Sequence, residues 1–179
     1  MTQGENQVVK PSATARGAAF WLALLVLIGA AGVVVATFAG WLKLDAMLGP
    51  LPLHHWSSIT GAAFIALFTP FYYVMKRRHP AWYRNLLAIH VFGNLLSFVL
   101  ISAHFAHQSL AFPFETGLAL YLAVLVLVTT GFVQRFRLYS GPVKGWRFWH
   151  TAFAVAFFLV VVVHVPHGLM LFERPIKIG

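Results

Sequence analysis

Five stretches of the chain stay apolar far longer than a strand or an ordinary core helix requires, and short polar segments separate them. They run from about Ala18 to Leu42, His55 to Met75, Arg84 to His107, Thr116 to Gln134 and Trp146 to Leu171. A helix of ~20 apolar residues spans the ~30 Å hydrocarbon core of a bilayer. The pattern therefore predicts an all-α integral membrane protein with five transmembrane helices. The connections are short and carry breakers: Gly49-Pro50-Leu51-Pro52, His79-Pro80, Phe112-Pro113 and Ser140-Gly141-Pro142. The first run exceeds the ~7–15 residues of a signal-peptide core, so it reads as a retained helix or signal anchor. Residues 1–17 form a polar tail expected to be disordered, residues 18–172 the membrane domain, and residues 173–179 a short second tail.

Charge orients the spans. Lys10 and Arg16 precede the first one. Lys76, Arg77, Arg78 and Arg84 join the second to the third, and Arg135, Arg137, Lys144 and Arg147 join the fourth to the fifth. The opposite connections hold Lys43 with Asp45, and His107 with Glu115, and are nearly neutral. The positive-inside rule then puts the N-terminus in the cytoplasm and the C-terminus outside, as in a bacterial or archaeal cytoplasmic membrane. Trp41, Trp56, Trp82 and Trp146 fall near predicted helix ends, where indoles anchor at the interface.

Composition agrees. The 179 residues are 60% hydrophobic and 9% charged, too few charges to cover a soluble domain. The net charge of +9 is spread over the connections and forms no nucleic-acid-binding face. There is no cysteine, which excludes disulfides, thiolate-held iron–sulfur clusters and covalently attached c-type haem. No glycine-rich phosphate motif appears, so no NAD(P)H site of its own is expected, and no flavin domain.

The candidate chemistry lies in a doubled histidine spacing. Thirteen residues separate His90 from His104, and thirteen separate His150 from His164. The third and fifth spans run in the same direction, so His90 matches His150 in depth near the cytoplasmic side, and His104 matches His164 near the outer side. Fourteen residues of helix rise ~21 Å and return to within ~40° of the starting direction. Two bis-histidine sites at two depths follow: His90 with His150, and His104 with His164. Imidazoles inside a membrane are costly unless something holds them. One such residue reads as an interhelical hydrogen bond; four in a common register read as axial ligands of two non-covalent b haems. Gly93, one turn from His90, would let a flat macrocycle approach the backbone. Phe157, seven residues from each ligand of the fifth span, would lie between the two haems, or serve only in helix packing. Arg84 and Arg147 lie within two turns of the inner ligands and could meet haem propionates, although topology alone accounts for them.

A further histidine layer lies outside. His107 follows His104 by three residues, His167 follows His164 by three, and His54 and His55 open the second span. These residues could hydrogen-bond a quinol, contact propionates or bind a metal ion, or be polar side chains at the interface.

The ladder His90-x13-His104 and His150-x13-His164, with Trp146-Arg147-Phe148-Trp149-His150 and Ser102-Ala103-His104-Phe105-Ala106-His107, resembles the ferric-reductase-like transmembrane domain over about residues 55–171. That superfamily includes NADPH oxidases, ferric reductases and the membrane haem subunit of periplasmic methionine sulfoxide reductase systems. The same ladder occurs in cytochrome b of quinol–cytochrome c reductases, so the motif points to two b haems more than to one family. The resemblance implies electrons crossing the membrane through two haems to an outer acceptor. The donor would be a quinol or a partner protein, since the flavin and nicotinamide domains of NADPH oxidases are missing here. The expected function is thus a di-haem b-type electron-transfer subunit. A quinol- or metal-ion-reactive oxidoreductase using the outer histidines is the alternative, and a metal-ion transporter a more distant one.

Overall fold

The computed structural model describes residues 17–111, 116–138 and 143–172. Nearly all of the two predicted tails, the Phe112-Pro113 and Ser140-Gly141-Pro142 breakers, and Lys10, Arg16, Glu115 and Glu173 lie outside those residues. Within them the chain forms five long helices: α1 (Ala18–Phe38), α2 (Leu53–Arg78), α3 (Tyr83–Ala111), α4 (Thr116–Phe136) and α5 (Val143–Phe172). Each is long and apolar enough to cross a membrane, as the hydropathy pattern required. Large apolar side chains such as Leu25, Leu67, Leu159 and Val162 point outward, as lipid-facing residues do.

The ends of the helices follow local chemistry. α1 stops at Phe38, four residues short of the sequence expectation, because Gly40 adopts φ 73°. Gly40 N–H and Trp41 N–H then donate to the carbonyls of Thr37 and Ala36, closing the left-handed glycine cap. α2 ends where His79 precedes Pro80, a position that sterically disfavours the helical conformation. A short 3-10 turn at Pro80–Trp82 leads into α3. α4 closes through the same kind of cap, with Arg137 rather than glycine at φ 50° and Leu138 N–H on the carbonyl of Val133. Pro166 does not end α5, which continues through it.

Between α1 and α2 sits a small hairpin, β1 (Met47–Leu48) paired antiparallel with β2 (Leu51–Pro52). Gly49, at φ 66°, takes the first position of its two-residue turn, where glycine alone is unstrained.

The helices pack as two antiparallel pairs. α2 and α3 approach closely because Gly61 and Gly93 have no side chains: a Cβ on Gly61 would lie 2.9 Å from the carbonyl oxygen of Ser97, and one on Gly93 would overlap the Phe64 ring. Ser57 adds a hydrogen bond from its hydroxyl to Leu100 O at 3.2 Å. α4 pairs with α5, α1 lies along α3, and α3 also contacts α4. The shared core contains Ala30, Ile65, Phe98, Ile101, Ala123, Val124 and Phe157. The backbones of α3 and α5, which carry the two histidine pairs, stand apart with few close approaches.

Candidate functional site

A cavity of ≈ 1220 Å³ fills the gap between α3 and α5 at the end of the bundle that carries the basic connections. Ligand pockets for drug-sized molecules run to about 300–1,000 Å³, so this void is larger than such a pocket. Its walls come from α2, α3, α4 and α5, and both His90 and His150 line it. The sequence-predicted inner pair thus shares one cavity.

Each of these two imidazoles has a polar neighbour at Nδ1. The Thr130 hydroxyl donates to Val126 O at 2.7 Å and lies 2.9 Å from His150 Nδ1. With its proton already committed to the helix backbone, Thr130 Oγ1 accepts from His150 Nδ1–H. That tautomer leaves the His150 lone pair on Nε2, and an Nδ1–H contact of this kind is one that orients metal-ligating histidines. On α3, the Asn94 side-chain amide is 3.2 Å from His90 Nδ1, and Asn94 Oδ1 is buried without a partner. Turning that amide over would let Oδ1 accept the Nδ1–H of His90 and leave Nε2 as acceptor, with Nδ2 then in the buried position that Oδ1 holds. Tyr72 stacks on the His90 ring at 4.5 Å, and the hydroxyl of Thr69, another cavity residue, is buried with no hydrogen-bond partner.

The cavity is polar in a directional way. Lys76, Arg77, Arg135, Arg137 and Arg147 line it, and none of the described lining residues is an Asp or Glu. Arg137 reaches this position from the left-handed cap of α4, a backbone state that costs a non-glycine residue about 1 kcal/mol or more. Phe157, fully buried, forms apolar wall deeper in the cavity. Such a site is apolar in depth, carries paired imidazole acceptors, and is cationic at one end. Its lining could hold an amphiphilic anion that carries a metal.

α4 contributes a feature that the sequence reading passed over. A Cβ on Gly131 would lie 3.2 Å from His150 Cε1, and one on Gly117 would lie 3.6 Å from His164 Cε1. The two glycines are fourteen residues apart, in step with the histidines of the antiparallel α5. Both imidazoles of α5 therefore rest on a bare stretch of α4 backbone, at two depths in one register.

At the far end of the bundle the outer histidines come together. His104 is surrounded by imidazoles: its ring lies 5.5 Å from that of His54 and 5.0 Å from that of His55. His104 Nδ1 is buried without a hydrogen-bond partner. His54 also stacks near His107, with ring centroids 4.1 Å apart, and His107 Nε2 is 2.6 Å from Asp45 Oδ1. The outer layer named from sequence thus gathers His54, His55 and His107 around His104, joined by Asp45. The side chain of His167 lies outside the described residues.

Two residues assigned from sequence sit elsewhere. Gly93 meets the Phe64 ring and does not line the cavity, because α2 covers that flank of α3. Arg84 is exposed and off the cavity wall, whereas Arg147 is on it. Lys76, Arg77, Arg135 and Arg137 hold the position expected of Arg84.

Comparison with protein-family models, with curated proteins and with solved structures found no match to this chain.

Proposed function

We propose that the chain is a di-haem b-type membrane cytochrome that passes electrons between a quinol or partner-protein donor and an acceptor at the outer face. One observation carries the reading: His90 and His150 line the same cofactor-sized cavity, and the Thr130 hydroxyl, 2.9 Å from His150 Nδ1, would favour the tautomer that leaves Nε2 free. His90 and His150 would hold the inner haem iron, and His104 and His164 the outer one. The repeated register of Gly117 and Gly131 against α5 supports the second site. When bound, haem supplies a one-electron carrier.

The protein supplies everything else. Two imidazoles for each iron would leave no open coordination position, which would favour electron transfer over oxygen binding. The cations Lys76, Arg77, Arg135, Arg137 and Arg147 would neutralise two propionates at the cavity's basic end. Phe157 and its core neighbours make the depth of the cavity apolar, away from the cations at its basic end. In the proposed orientation the basic end faces the cytoplasm and the histidine-rich end faces outward, following the positive-inside rule.

Haem-replete expression of the full chain, followed by pyridine-haemochrome quantification and reduced-minus-oxidised spectra, tests the reading. Two b haems per chain are expected. A purified, folded protein without b-type absorbance overturns it.

A further inference from the structure

We infer that Asp45, His54 and His107 form a binding site for a divalent first-row transition-metal ion at the histidine-rich end, separate from the four imidazoles assigned to iron. One ligand atom from each of these residues lies within 4.8 Å of the others. Donor atoms around a tetrahedral zinc-type centre are about 3.3 Å apart, so modest side-chain rotation closes the set. Two imidazoles and one carboxylate suit zinc or copper better than magnesium or calcium, which take oxygen ligands.

The fold builds this site deliberately. The β1–β2 hairpin folds the α1–α2 connection back onto α2: Leu53 N–H donates to Ala46 O at 2.9 Å and Trp56 Nε1–H to Leu48 O at 2.8 Å. This places Asp45 beside His107 although the two are far apart in sequence. His54 is held by the same connection. Its Nδ1 is 3.0 Å from Leu44 O, and a carbonyl only accepts, so Nδ1 carries the proton. The His54 lone pair therefore lies on Nε2, fixed by the backbone-carbonyl contact typical of ligating histidines. His54 is buried while the Asp45 side chain is 67% exposed, so an ion would reach the site from water and be anchored from within. Three protein ligands leave a position for water or an exogenous ligand, as in an open site rather than a closed structural one. The neighbouring set His54, His55 and His104 also lies within 4.8 Å, but it lacks a carboxylate to balance the ion's charge.

The test uses the tag-free full-length chain in detergent, titrated with Cu²⁺ and followed by electron paramagnetic resonance, with Zn²⁺ as competitor. One Cu²⁺ per chain with hyperfine splitting from two imidazole nitrogens is expected. Asp45→Asn and His107→Gln should each weaken binding by about tenfold or more, and His79→Gln, at the opposite end, should not. The chain has no cysteine, so His107→Cys installs a single thiol. With Co²⁺ this variant should gain a thiolate-to-cobalt charge-transfer band, a signal that a misfolded protein would not give. Absence of stoichiometric binding overturns the site, as does binding that survives Asp45→Asn and His107→Gln together. Binding lost on His55→Gln but kept in Asp45→Asn also overturns it, by placing the ion among the buried imidazoles instead.

Discussion

Thr130→Val probes the tautomer argument directly. Valine keeps the shape of threonine but removes the oxygen that accepts from His150 Nδ1–H at 2.9 Å. Thr130 is buried, so no bulk water replaces it. An imidazole N–H left unsatisfied in such a place costs about 1–3 kcal/mol. Since each ~1.4 kcal/mol is tenfold, haem affinity at the inner site should fall by roughly 10–100-fold, the range typical when an orienting partner is lost. The lost hydrogen bond also makes His150 a weaker donor, so the potential of the surviving inner haem should rise. Haem transfer to an apo-acceptor and a spectroelectrochemical titration read both effects. Thr37→Val is the matched control: Thr37 is equally buried and donates to Val33 O at 2.8 Å in the same way, but lies on α1 away from the cavity. If Thr130→Val and Thr37→Val behave alike in both assays, Thr130 does not orient an iron ligand.

Four further outcomes are expected. His90→Ala and His164→Ala should each remove one haem, and the two residual spectra should differ in potential; identical losses would refute the pairing. Gly131→Val should displace the His150 ring, whose Cε1 already lies 3.2 Å from a hypothetical Cβ, and reduce inner-haem occupancy, whereas Gly145→Ala, with open space around it, should not. Gly93→Ala should force Phe64 out of contact and destabilise the α2–α3 pair by about 1–3 kcal/mol, read as a lower melting temperature, with haem potentials unchanged in the protein that remains folded. Replacing Lys76 and Arg147 together with glutamine should weaken haem retention several-fold and make it less sensitive to salt, as measured by haem loss across ionic strengths.

The five helices were legible because the membrane imposes one requirement, length in apolar residues, that local chemistry barely disturbs. The structure changes only their ends, as at α1, where Gly40 permits a cap that a hydropathy run does not reveal. The inner histidine pair was legible because polar residues in apolar spans announce themselves, and a common spacing along parallel helices survives folding. Glycines make no such announcement: Gly117 and Gly131 share the fourteen-residue step but look like ordinary small residues until α5 is laid against them. Gly93 misled for a related reason. Lying on the His90 stripe says nothing about which helix covers that flank, and α2 does. The cationic lining was read as topology because four of its five members lie on or beside α2 and α4, which do not carry the four histidines of the ladder. Asp45 was read only as a charge in a loop, since its approach to His107 depends on a two-residue hairpin turn that joins sequence positions far apart.

The central claim is that paired imidazoles on α3 and α5 each take an iron porphyrin. Low-temperature electron paramagnetic resonance of the oxidised, haem-replete full-length protein, with haem counted in the same sample, tests it most directly. The account predicts two low-spin ferric signals of bis-imidazole type at two haems per chain, one lost in His150→Ala and the other in His104→Ala. High-spin iron, or a stoichiometry that neither substitution alters, would contradict it.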